Sequence, residues 1–144
     1  MKKTILSVLM LLSVSVFSQT ADEYFKKGIE AAHHGHIDNA IENLKKALEL
    51  SPGLADYHLN LGVLYANKKD YDSAVTEIQA SIKSNPSNAM SHYVMAMLLE
   101  KKKDRAAAVS EWEAVLRLKP ADDLSETANK HIRHLKERLN EKGQ

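Results

Sequence analysis

The sequence predicts an all-α fold: an α-solenoid of three 34-residue helix–turn–helix repeats followed by a capping helix. The 144-residue chain is built mostly from helix formers and contains only 5 Gly and 3 Pro. That is too few turn residues for a β-sandwich or barrel of this size. The prolines are Pro52, Pro86 and Pro120, spaced 34 residues apart, and a period of that length signals stacked supersecondary units. Cut at that period, residues 21–54, 55–88 and 89–122 align column by column when numbered 1 to 34 within each unit.

Residues 1–18 stand apart from this pattern. Lys2 and Lys3 precede an apolar run from Ile5 to Phe17 broken only by Ser7, Ser13 and Ser15. The run suits the core of an export signal and is short for a bilayer span. Val16 and Ser18 fit a small-residue cleavage site, so a signal peptide removed after about Ser18 is expected. The mature chain is then exported, periplasmic or secreted, and soluble, with no later stretch suited to membrane insertion. The chain has no Cys, which excludes disulfides, thiol chemistry and Cys-ligated metal. A formal net charge of +1 gives no footprint for nucleic acid.

Within each unit the first helix carries Gly28, Gly62 and Ala96 at position 8. The second carries Ala40, Ala74 and Ala108 at position 20. Both columns are small because the two helices of a unit cross there, and bulk would push the backbones apart. Positions 20, 24, 27 and 28 fall on one helical face, as in Ala40, Leu44, Ala47 and Leu48. The turns between helices read Gly35-His36, Lys69-Asp70 and Lys103-Asp104. Asp70 and Asp104 are good N-caps for the second helix. Gly35 suits a left-handed C-cap, whereas lysine fits that conformation less well. The proline at position 32 closes each unit by driving the residue before it out of the helical region.

The ends differ from the middle. Positions 3, 7 and 10 are Glu23, Lys27 and Glu30 in the first unit but Tyr57, Leu61 and Leu64 in the second, and Ser91, Met95 and Leu98 in the third. The first unit therefore reads as an N-terminal end with a polar outer face. Residues 123–144 form the expected capping helix, with Leu124, Ala128, Ile132, Leu135 and Leu139 on one face. The array is expected to comprise seven helices closed at both ends.

The period, the small residues at positions 8 and 20, and the proline together resemble the tetratricopeptide repeat family over residues 21–122, in a small exported bacterial protein of three repeats. Two columns depart from the family pattern. Position 4, often aromatic, is Tyr24 but then His58 and His92; position 27, usually Ala, is Ala47, Ser81 and Val115. The resemblance implies a concave groove lined by the first helices at positions 2, 5, 6, 9, 12 and 13. Carried over, these positions give Phe25 and Ile29 from unit one. Leu59, Asn60 and Val63 come from unit two, and Met90, Tyr93 and Met97 from unit three. His33 and Asn67 fall in the same columns. Positions 5 and 9 are apolar in every unit, and a contiguous apolar patch facing water marks an interaction site.

Family members that grip acidic chaperone tails use lysine, arginine and asparagine at five of these positions. Here the five hold Phe25, Ile29, Asn60, Met90 and Val94, so only Asn60 matches and the cations that would pair with carboxylates are missing. The implied partner is another protein, presenting a hydrophobic segment or an amphipathic helix. The implied function is a non-catalytic adaptor or scaffold in the cell envelope. The alternative is a structural subunit that associates with itself as a homodimer or braces an envelope complex.

Other candidate chemistry is weak. His33, His34 and His36 cluster in a turn, but nothing at typical spacing beyond Asp38 completes a tetrahedral set, so no metal is assigned. His58 and His92, one repeat apart, are expected to be half-buried replacements for an aromatic, near enough to stack or share an edge. His131 and His134 are expected on the solvated flank of the cap. There is no Gly-rich phosphate loop and no G-x-S-x-G elbow, so neither an enzyme nor a cofactor is expected.

Overall fold

The computed structural model describes residues 20–141; the export signal expected over residues 1–18 lies outside them. The described residues form seven helices and no strand. They are α1 (20–33), α2 (Ile37–Leu50), α3 (Ala55–Asn67), α4 (Tyr71–Ser84), α5 (Ala89–Lys101), α6 (Arg105–Arg117) and α7 (Asp122–Asn140). Consecutive pairs α1/α2, α3/α4 and α5/α6 are the three repeats. Each pair packs on the next through the second helix of one unit and the first of the following unit.

The turns inside the units are identical in backbone. Gly35, Lys69 and Lys103 all adopt positive φ, at 77°, 62° and 65°. Each turn is closed by two bonds to the carbonyls of the ending helix. In the second unit they are Lys69 N–H to Ala66 O at 2.9 Å and Asp70 N–H to Tyr65 O at 3.0 Å. Lysine, which fits this conformation less well than glycine, nevertheless adopts it in the second and third units. Closing the helix pair fixes the conformation, and these carbonyl bonds offset the side chain's preference. Asp70 and Asp104 cap α4 and α6 through Ser73 N and Ala107 N, both at 3.2 Å. The Ser73 hydroxyl and amide both donate to Asp70, which holds its carboxyl below the ordinary value. Asn88 caps α5 through Met90 N and Ser91 N.

The crossing columns are as tight as their small residues require. A Cβ on Gly62 would lie 2.6 Å from Ile78 Cδ1 and 3.2 Å from the Ala74 carbonyl. On Gly28 it would lie 3.1 Å from Leu44 Cγ and 3.2 Å from the Ala40 carbonyl. These contacts are the position-20 and position-24 residues of the same unit. The core runs as a chain of clusters along the solenoid, with Leu44, Leu61, Ile78 and Trp112 the largest fully buried side chains.

Glu23, Lys27 and Glu30 are exposed, while Tyr57, Leu61, Leu64, Ser91, Met95 and Leu98 are buried, so the outer face of α1 is the polar one. At the other end α7 packs Ala128 and Leu135 onto Trp112, Val109 and Val115. His131 is not on the solvated flank. Its ring stacks on Trp112 at 4.6 Å, and Nδ1 lies 2.7 Å from Glu100 Oε1, which also accepts the Trp112 indole N–H at 2.7 Å. His134 is exposed as expected. Among the described residues no helix is long and apolar enough to cross a membrane.

Candidate functional site: the groove of the first helices

The eight groove residues separate into two groups. Ile29 of α1 and Asn60 and Val63 of α3 converge on one pocket of about 210 Å³, completed by Ala32, His33, Leu64 and Asn67. Met90, at the start of α5, is 48% exposed, the most exposed large apolar side chain among the described residues. These four line the pocket or present open surface on the first helices.

The other four are tied into the core. Phe25 stacks on Tyr57 with ring centroids 4.4 Å apart and planes 11° apart. Tyr93 meets Trp112 edge-on at 5.3 Å and 82°. Leu59 packs on the cluster of Ala74, Ile78, Met95 and Leu98, and Met97 on that of Trp112. All four remain partly exposed, so they form the floor and walls of the groove rather than its free anchors. Leu64, whose position 10 belongs to the face that meets the preceding unit, also lines this pocket.

Polar groups fix this surface. The Tyr57 hydroxyl donates to the Asp22 carboxylate across α3 and α1. Burial, reinforced by that bond, pushes the Tyr57 phenol well above its ordinary value. Asn60 Nδ2 donates to the Asp56 carbonyl at 2.7 Å, which sets the orientation of its amide at the pocket. The floor is thus apolar, from Ile29, Val63 and Leu64, with the amides of Asn60 and Asn67 and the imidazole of His33 around it.

The histidine turn does not converge on one point. His33 faces the groove pocket, whereas His34 and His36 line a separate one of about 410 Å³ with Lys27, Glu30, Asn39 and Asn43. The His34 and His36 rings are 6.4 Å apart and tilted. Among the described residues no group of three or more His, Asp or Glu side chains is placed to hold a metal ion. His58 and His92 do not stack on one another; each is held by a glutamate of its own unit.

This geometry has counterparts among known proteins. One family model, described as "TPR repeat", matches residues 33–69, and a second, described as "Tetratricopeptide repeat", matches residues 55–88. No curated protein sequence matches the chain. Among solved structures, the first TPR of Spaghetti (RPAP3), bound to the HSP90 peptide SRMEEVD, is 21% identical with a TM-score of 0.78, covering 85% of this chain and 95% of that one. The Yersinia enterocolitica type III secretion chaperone SycD, in complex with a peptide of the translocator YopD, is 16% identical with a TM-score of 0.79, covering 84% and 95%. The TPR2B domain of yeast Sti1, in a pHsp70 complex, is 15% identical with a TM-score of 0.76, covering 83% and 98%. At these identities the likeness establishes the fold.

Proposed function

We propose that this tetratricopeptide-repeat chain is a non-catalytic interaction module that takes a peptide or amphipathic helix of another protein into the groove of its first helices. The observation that carries this reading is the pocket of Ile29, Asn60 and Val63, together with exposed Met90 one repeat further along. Apolar anchors at helical or extended spacing would fill such a row while the asparagine amides bond the ligand backbone. The fold is shared with domains whose structures hold peptides, which supports the same use here. The ligand differs in chemistry from an acidic tail such as SRMEEVD, since Phe25, Met90 and Val94 stand where cations would be needed and Ile29 where an asparagine would be.

The cell envelope is the proposed location. Support comes from Lys2 and Lys3 followed by the apolar run Ile5 to Phe17. A photo-crosslinking residue placed at Val63 or Met90 in cells tests groove and location together. Capture of one envelope protein from both positions, and not from Gln79 on α4, is the expected result. Equal capture from all three positions, or from none, removes the groove reading.

The competing reading, a self-associating structural subunit, has one observation in its favour. Val75, Ile82, Met95 and Leu99 line a pocket of about 380 Å³ on the side where α4 and α6 meet α5. A mass from light scattering that stays monomeric at high concentration excludes the homodimer.

A further inference from the structure

Both inner junctions of the solenoid carry the same three-part device. At the first, the His58 ring on α3 lies between α4 and the turn that precedes α3. Its Nδ1 is 2.8 Å from Glu77 Oε2, and its Nε2 is 2.9 Å from the Pro52 carbonyl oxygen. At the second, His92 Nδ1 is 2.7 Å from Glu111 Oε2 and Nε2 is 3.1 Å from the Pro86 carbonyl oxygen. His, Glu and Pro each recur 34 residues on, so the repeat period writes the device twice. The first unit has Tyr24 and Asn43 in the His and Glu columns and lacks this chemistry. The imidazoles are 16% and 13% exposed, and their contacts to the glutamates are partly buried, whereas the proline carbonyls they face lie at the surface, where water can take over a released contact.

Both oxygens facing each ring are acceptors. A neutral imidazole has one N–H and one lone pair, so it satisfies one oxygen and sets its lone pair against the other. The imidazolium donates from both nitrogens and satisfies both. We infer that His58 and His92 are proton-operated clasps. With both nitrogens protonated, each ring ties the turn between two repeats to the second helix of the following repeat. When a proton leaves to solvent, the remaining N–H stays with the carboxylate, the stronger acceptor, and the turn carbonyl is released.

The other charged groups around the first clasp come from α2. Lys45 is drawn to Tyr65 and, more weakly, to Glu77, and Glu49 lines the same pocket. At the second clasp Lys83 of α4 shares a pocket with Glu111. In each case the carboxylate is in hydrogen-bond contact with the ring, so its field on the ring exceeds that of charges across the pocket. The sign follows from the donor count: the turn contact is made while the ring holds both protons and lost when one leaves.

Thermal unfolding of the full chain from pH 5.5 to 8 tests this, comparing wild type with the double variant His58→Gln/His92→Gln. The wild-type melting midpoint should fall by roughly 5 °C relative to the variant as pH rises. His131 and its Glu100 are common to both chains, so the difference isolates the clasps. Long-range 1H–15N spectra of wild-type histidine rings give a second readout that needs no variant. Where a ring holds both protons it should contact both oxygens, and once one proton has left the other should sit on Nδ1, opposite to the tautomer free imidazole prefers. Parallel pH slopes for wild type and variant, or an Nε2–H tautomer at pH 8, would overturn the proposal.

Discussion

The two inner junctions of the solenoid use the same two columns and fill them with opposite chemistry. Between units one and two, positions 27 and 3 hold Ala47 and Tyr57; the tyrosine ring stacks on Phe25, and its hydroxyl reaches Asp22. Between units two and three they hold Ser81 and Ser91, both fully buried. Ser81 Oγ donates to the Ala55 carbonyl at 2.8 Å and accepts the Ser91 hydroxyl at 2.8 Å. The first junction is stabilised by aromatic area, the second by a satisfied pair of hydroxyls. The repeat fold thus constrains the pair of columns jointly, in volume and in hydrogen bonding, and leaves each residue free to vary if its partner compensates.

The largest effect is expected where area dominates. Tyr57→Ala should cost about 3–4 kcal/mol in chemical denaturation, through the lost ring and the space it leaves beside Phe25. A loss below 1 kcal/mol would mean that the first junction does not depend on the aromatic. Crossing columns come next. Gly62→Ala should cost about 1–2 kcal/mol, because the added methyl meets Ile78 at 2.6 Å. Gly28→Ala, at 3.1 Å from the buried Leu44 Cγ and 3.2 Å from the Ala40 carbonyl, should cost less than Gly62→Ala, about 0–1 kcal/mol once the gain in helix propensity is counted.

At the second junction Ser91→Ala should cost about 1 kcal/mol by removing one hydrogen bond to Ser81. Paired with Ser81→Ala, it should cost less than the sum of the single changes, and additive losses would show that the hydroxyls act independently. One effect is stabilising. Lys69→Gly should raise stability by about 0.5–1 kcal/mol, since glycine takes the left-handed turn without strain, and Gly35→Lys in the first unit should lower it.

The sequence made the period, the helix pairs and the crossing columns legible because each is a recurrence of size or polarity along one strip of helix. Less of the groove was legible. An apolar residue at position 5 reads the same whether it faces a ligand or, like Tyr93, the edge of a buried indole. His58 and His92 were placed at the right burial, but their partners lie in the next helix and the preceding turn. A glutamate at position 23 in the same two units that have histidine at position 4 was the available signal. The contact of His131 with Trp112 had no such signal, since it depends on how α7 seats on the last repeat. Lys69 and Lys103 show the reverse case, a local preference overruled by closure of the helix pair.

If the groove surface formed by Ile29, Val63 and Met90 holds a partner segment, charge placed there should weaken binding. Isothermal titration of the partner segment captured at Val63 or Met90 tests it, using wild type and the double variant Val63→Glu/Met90→Glu. Both substitutions fall outside the fully buried core, so the melting midpoint should stay within a few degrees of wild type. Affinity should fall at least tenfold in the variant, and an unchanged affinity would exclude the groove as the binding surface.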